Sequence, residues 1–260
     1  MLRKDVKKPA FPAAASGKST ADPAEIERFS GLADEWWKPD GAFKVVHAFN
    51  AARVGHISRR VPQLMARDPS QASPLTGLSV LDVGCGAGIV TEPISRLGGD
   101  VLGIDAAERN VLVAARHAGL TQAPVRYRHA LPEELVGEGR RFDIVMSLEV
   151  VEHVASVPVF LAALGDLVAP GGLLVIGTLN RTPLSFLKAI VGAEYVLGWM
   201  PRGTHDWRKF VTPGELDTSL RRQGLGVVER CGVELNPLTM RWRITQSVNT
   251  TYLQFHRAAA

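Results

Sequence analysis

Leu81-Asp82-Val83-Gly84-Cys85-Gly86-Ala87-Gly88 is the stretch whose reading decides the fold of this 260-residue chain. Three glycines alternate with small residues after a short apolar run, Ser79–Val83, and before a stretch of helical character, Ile89–Leu97. A strand that turns into a helix over such a loop brings bare backbone close to a ligand or a packed helix, where a Cβ would collide. The pattern repeats outward. Val101–Ile104 runs into Asp105, and Val125–His129, Phe142–Ser147 and Leu173–Gly177 follow as strands, with helical stretches at Glu108–Ala118 and Pro158–Val168. Pro170-Gly171-Gly172 reads as a turn, Thr212–Gln223 as a helix with Thr212 at its N-cap and Glu215 three residues on, and Val227–Val233 with Arg243–Phe255 as a closing antiparallel hairpin. Alternation of this kind predicts an α/β, Rossmann-like fold: a mostly parallel seven-stranded sheet with helices on both faces.

A glycine loop alone does not choose its ligand. The dinucleotide fingerprint GxGxxG wants glycine or alanine at position 89, and Ile89 stands there. Asp82 precedes the loop; an acid there favours a cationic sulfonium with its amino group and repels a pyrophosphate. Asp105 ends the second strand about twenty residues beyond the loop, where an acid accepts ribose hydroxyls. Asp82, Gly84, Gly86 and Asp105 are therefore the candidate contacts for S-adenosylmethionine, and a class I methyltransferase is expected. An NAD-dependent oxidoreductase is the less favoured reading, and a tight turn with a capping Asp the bland one.

The fourth strand runs into Ser147-Leu148-Glu149-Val150-Val151-Glu152-His153, at the sheet edge where open α/β folds bind ligands. If Glu149 begins a turn, Glu149 and Glu152 share one side with His153 beside them. Three readings follow. Glu149, Glu152 and His153 could ligate a divalent cation of the Mg²⁺ type. His153, with Glu149, could serve as a general base. Or the acids could simply sit at a helix N-terminus, with His153 orienting the loop.

Asp22-Pro23-Ala24-Glu25 starts a helix that should run to Trp36-Trp37, and a second helix covers about Asn50 to Arg60, with Pro62 to Gly77 loop-rich. Residues 1–22, rich in Ala, Pro, Ser and Lys, read as a disordered leader. Residues 23–260 then form one domain, with 23–62 as a helical cap and 181–210 as an insertion. The net charge of +4 is mild and partly in the leader, which argues against nucleic acid. Two distant cysteines suit a reducing compartment, and no apolar run is long enough to span a bilayer.

The most specific pieces lie outside the loop: Trp36-Trp37 with Gly41-x-Phe43-Lys44-x-x-His47; Asn50-x-x-Arg53; Leu148 to His153; Thr178-Leu179-Asn180-Arg181; Val191-Gly192-Ala193-Glu194-Tyr195; Gly203-Thr204-His205-Asp206; and Asn236-Pro237. On these, the chain resembles the ubiquinone-biosynthesis O-methyltransferases from about Phe29 to Arg257. The resemblance implies methyl transfer from S-adenosylmethionine to a ring hydroxyl of polyprenylated hydroxyphenols and demethylubiquinol. It places cofactor contacts on Arg53, Gly84, Asp105 and Leu148, and, in members that bind Mg²⁺, the ion on Glu149, Glu152 and His153. The sequence departs from the family at Ala51-Ala52, at Ala87 and at His56, where tyrosine is common. The alternatives are a methyltransferase for another small phenol, or a scaffolding cofactor-binding subunit of a quinone-synthesis complex.

In the 181–210 insertion, Phe186, Leu187, Ile190 and Val191 fall on one α-helical face, flanked by Arg181, Lys188, Arg202, Arg208 and Lys209. An apolar face with a basic rim is the pattern of a membrane-surface helix or of a lid. The resemblance implies contact with membrane lipid here. The expected location is cytoplasmic, peripheral to the inner membrane, with the matrix side of the mitochondrial inner membrane as the alternative.

Overall fold

The computed structural model describes residues 19–38, 41, 44–196, 203–204, 206–236 and 239–260, with Val196 as backbone alone. Eight strands form one sheet: β1 (Ser79–Val83), β2 (Asp100–Asp105), β3 (Val125–His129), β4 (Phe142–Leu148), β5 (Val168–Leu179), β6 (Leu225–Asn236), β7 (Arg241–Thr245) and β8 (Thr251–Ala258). Their order is β3-β2-β1-β4-β5-β8-β6-β7. The first five are parallel; β8 is antiparallel to β5 and β6, and β7 to β6. Chain order reverses at β1 and β4, so the crevice at their carboxyl ends is the topological switch point where such sheets bind ligands.

Helices cover both faces: α1 (Pro23–Gly31), α2 (Lys44–Leu64), α3 (Thr91–Ser95), α4 (Glu108–Thr121), α5 (Pro132–Gly137), α6 (Val157–Asp166), α7 (Pro183–Ser185) and α8 (Pro213–Arg221). One core layer gathers Leu135, Phe160, Leu216 and Tyr252, the other Ile57, Val61, Ile94 and Phe255. Each large apolar side chain fully buried in these layers contributes about 1.5–3 kcal/mol. None of the described helices is long and apolar enough to cross a membrane.

Local signals read from the sequence hold where their partners are close. Asp22 caps α1, its carboxylate accepting the Ala24 N–H at 3.2 Å. Thr212 and Glu215 form the reciprocal capping box of α8.

Other expectations are corrected. The sheet has eight strands, not seven, because the expected strand Arg243–Phe255 breaks into β7 and β8. The chain between them folds over Gly232, where a Cβ would overlap the Ser247 backbone. Pro170-Gly171-Gly172 is no turn; it is an irregularity within β5, where pairing to β4 jumps from Val168 to Leu173. Helix α2 runs on through Pro62 to Leu64, since Ile57, Val61 and Pro62 are all buried along it. The first helix stops at Gly31, and a 3₁₀ turn, Ala33–Glu35, carries the chain to the tryptophans. α5 has no counterpart in the sequence reading.

The leader was expected to end at residue 22, yet Thr20 is buried. Its N–H and Oγ1 donate to the two Glu133 carboxylate oxygens at 2.9 and 2.8 Å, and its carbonyl accepts the Ala155 N–H at 3.1 Å. In the insertion, α7 runs into a π-helix, Phe186–Val196, rather than the α-helix its spacing suggested. Residues 1–18 of the leader, and Phe43, Trp199, Met200, Arg202, His205 and Pro237, lie outside the described residues.

Candidate active site

A cavity of about 630 Å³ opens at the switch point. Its wall includes every residue the sequence reading singled out for binding or chemistry: Arg53, Asp82, Gly84, Gly86, Asp105, Leu148, Glu149, Glu152 and His153. That volume suits a small-molecule ligand.

The glycine loop is built from short-range contacts. Gly84 has φ +76°, and its N–H donates to the Ile104 carbonyl at 2.8 Å. A Cβ on Gly84 would overlap the Val150 side chain, and one on Gly88 (φ +88°) the Tyr127 hydroxyl. The glycines thus clear space for protein neighbours; the space over Gly86 is closed by the Trp36 ring, 3.6 Å from where a Cβ would stand. Asp105, ending β2, accepts the Gly86 N–H at 2.9 Å through one oxygen and the Ala107 N–H at 2.8 Å through the other. Asn110 Nδ2 adds a contact at 3.2 Å. Asp82 accepts from Thr91 Oγ1 at 2.6 Å. Burial pushes Asp82 up to about 6, and raises Asp105 as well. One buried and one part-buried acid, both with their ionised forms disfavoured by loss of solvent, are relieved by a cationic ligand, so this wall fits the sulfonium and amino group of S-adenosylmethionine. Leu148, 8% exposed at the end of β4, adds an apolar side chain to the cavity wall.

The other wall is assembled from distant parts of the chain. Glu149 adopts φ +58°, unusual for a residue with a side chain, and its N–H donates to the Gly177 carbonyl at 2.8 Å. Arg53 of α2 donates to Glu149 Oε1 at 2.7 Å and to Asn50 Oδ1, with its guanidinium 4.0 Å from the centre of the Phe49 ring. Glu152 is 2% exposed; Oε2 accepts from Thr178 Oγ1 at 2.8 Å, while Oε1 is buried without a hydrogen-bond partner. Burial, then the neighbouring Glu149, pushes Glu152 up to about 7. His153 Nδ1 lies 3.1 Å from Glu25 Oε2 of α1, and its ring meets Phe29 edge-on at 5.1 Å. The hydrogen bond to His153 lowers the Glu25 carboxyl.

The cap closes on the loop through a relay. Trp37 Nε1 donates to the Ala87 carbonyl at 2.8 Å, the indole stacks on His117 at 3.4 Å and 4°, and His117 Nδ1 lies 2.7 Å from Glu92. Glu25, Asn110, Glu92 and His117 escaped the sequence reading. Glu25 had one signal, as the acid in the first turn of α1, and nothing in the sequence tied it to His153.

One divalent ion shared by Glu149, Glu152 and His153 would need their donors turned to a common point. Glu149 faces Arg53, Glu152 faces Thr178, and His153 Nδ1 faces Glu25. Among the described residues, the one group of three His, Cys, Asp or Glu residues with ligand atoms all within 4.8 Å of one another is His56, Glu229 and Cys231. The ligand atoms of Glu149, Glu152 and His153 are not gathered within that distance as they stand.

Residues 55–230 match the model of a family described as a methyltransferase domain. The ubiquinone biosynthesis O-methyltransferase of Cereibacter sphaeroides is 47% identical over 230 residues, covering 88% of this chain and 93% of that protein. The protein of that name from Rhizobium rhizogenes is 44% identical, covering 94% and 98%. Among solved structures, the magnesium protoporphyrin IX methyltransferase of Synechocystis with bound SAM superposes with a TM-score of 0.60 at 16% identity, covering 93% of this chain and 100% of that one. The N-methyltransferase NodS of Bradyrhizobium japonicum with S-adenosyl-L-homocysteine does so with a TM-score of 0.60 at 18% identity, covering 91% and 98%. The two structures share the class I methyltransferase fold with this chain. The sheet, the loop wall and the close relatives converge: this chain is an S-adenosylmethionine-dependent methyltransferase and belongs to the family of ubiquinone biosynthesis O-methyltransferases.

Proposed function

We propose that the protein transfers the methyl of S-adenosylmethionine to a ring hydroxyl of polyprenylated hydroxyphenol and demethylubiquinol intermediates, with His153 as the base. One observation carries the reading: a single cavity joins the acidic loop wall to a histidine held by a carboxylate. Asp82, Gly84, Gly86, Asp105, Arg53 and Leu148 bind and orient the cofactor, which supplies the electrophilic methyl when bound. A phenol with pKa near 10 is only about 0.1% ionised at pH 7, so forming the phenolate accounts for roughly 4 kcal/mol of barrier. Glu25 at Nδ1 orients the ring so that the remaining nitrogen takes the proton. The phenolate oxygen then displaces the sulfonium, releasing S-adenosylhomocysteine. Glu149, paired with Arg53, acts by position rather than as a base.

The acceptor's tail leaves along the π-helix. Leu187 and Gly192 line the cavity, while Leu184, Phe186, Leu187 and Tyr195 also present exposed apolar surface. That supports a lid resting on a bilayer, with the protein peripheral to the membrane.

The test incubates the purified protein with methyl-labelled cofactor and demethylubiquinol under reducing conditions. Label on the ring oxygen is the expected result. No transfer to the quinol, with transfer to a short phenol, overturns the substrate assignment.

A further inference from the structure

A second cluster of chemically capable side chains lies outside the cavity. His56 and Arg60 stand four apart on α2 and so share a helix face. Glu229 and Cys231 stand two apart on β6 and share a strand face, in a register set by the irregularity between Val227 and Glu229. His56 Nε2 lies 3.1 Å from Glu229 Oε1 and 3.4 Å from Cys231 Sγ, and all three ligand atoms are within 4.8 Å of one another. The side chains of His56 and Glu229 are 11% and 18% exposed, and Cys231 is buried.

We propose that His56, Glu229 and Cys231 bind one zinc-class divalent cation that fastens α2 to β6. Bonds of about 2.0–2.3 Å to nitrogen, oxygen and sulfur at tetrahedral angles require ligand–ligand edges of roughly 3.3–3.7 Å. The two short edges here are already within a few tenths of that. One imidazole, one carboxylate and one thiolate are donors of the type a borderline cation takes, and solvent fills the fourth position. Carboxylate and thiolate together balance a dication.

Arg60 completes the arrangement. Its Nε donates to Glu229 Oε2 at 2.7 Å, which turns Oε1 towards the other two ligands, as an outer-shell partner does. A cysteine thiol is ordinarily protonated at neutral pH before metal arrives. Binding therefore exchanges one proton for the metal: the S–H bond breaks, an S–metal bond forms, and the proton leaves to solvent. His56 lies one helical turn beyond Arg53, so the ion would set how deeply α2 seats the residues that reach Glu149.

The competing arrangement is a hydrogen-bonded His–Glu–Cys cluster, since the same spacings suit hydrogen bonds. Full-length protein, stripped with a chelator and kept reduced, is titrated with Co²⁺ and then Zn²⁺. One equivalent of Co²⁺ should give tetrahedral visible absorption and a thiolate-to-cobalt charge-transfer band, both removed by Zn²⁺, with one proton released. Cys231→Ser should lose the charge-transfer band, and His56→Gln should bind at least about tenfold more weakly. Glu152→Gln should keep the band and the stoichiometry. No saturable band at micromolar metal in the wild type assigns the cluster to hydrogen bonding and overturns the proposal. A band that survives Cys231→Ser, or vanishes in Glu152→Gln, overturns it too.

Discussion

The two walls of the cavity are built in opposite ways. The loop wall is local: Gly86 reaches Asp105 across 19 residues, and Asp82 reaches Thr91 across 9. The opposite wall is gathered from afar. Arg53 reaches Glu149 across 96 residues, and Glu25 approaches His153 from the first helix. One wall is a tight turn whose left-handed backbone its glycines permit; the other is a junction whose geometry depends on how α1 and α2 dock.

This contrast breaks or sharpens under mutation. The largest effect is expected from His153→Ala, with kcat falling by about 10²–10⁴-fold as for loss of a general base, and S-adenosylhomocysteine affinity by calorimetry unchanged. Parallel loss of affinity would merge the two walls into one unit. Gly84→Ala should do the reverse. The left-handed backbone costs about 1–3 kcal/mol for a residue with a Cβ, before the overlap with Val150 is counted. Cofactor affinity should therefore fall by about one to two orders of magnitude.

The third effect is one of pH. Asp82 is pushed up to about 6, so its charge is present above that pH and lost as pH falls through it. Affinity for the cationic cofactor should be flat above about 6 and should weaken below it, approaching about tenfold per pH unit. Asp82→Asn should flatten the profile; an unchanged profile would move the responsible group elsewhere. The smallest effect is expected from Trp37→Phe, which keeps a ring on His117 and removes the hydrogen bond to Ala87. About 1 kcal/mol, roughly fivefold in cofactor affinity, should be lost by titration.

The same contrast explains what could be read from residue order. The loop, Asp105 and the caps at Asp22 and Thr212 carry their partners within a few turns of chain, so type and spacing suffice. Glu149, Glu152 and His153 were legible as a group but not in their partners, because docking of α1, α2 and β5 decides those. The π-helix was hidden for another reason. Its turn is wider than that of an α-helix, so a 3.6-residue period assigns its apolar residues to one face when some line the cavity and some face outward. The strand break after Thr245 was masked by apolar character on both sides of it.

Glu25, Asn50 and Arg53 all precede residue 55, where the match to the general methyltransferase domain begins. The residues that hold His153 and Glu149 thus lie ahead of the stretch shared with methyltransferase domains in general. Exchanging the segment from Ser19 to Arg53 between relatives would move the grip on His153 and Glu149 together with Trp36 and Trp37, which close over the glycine loop.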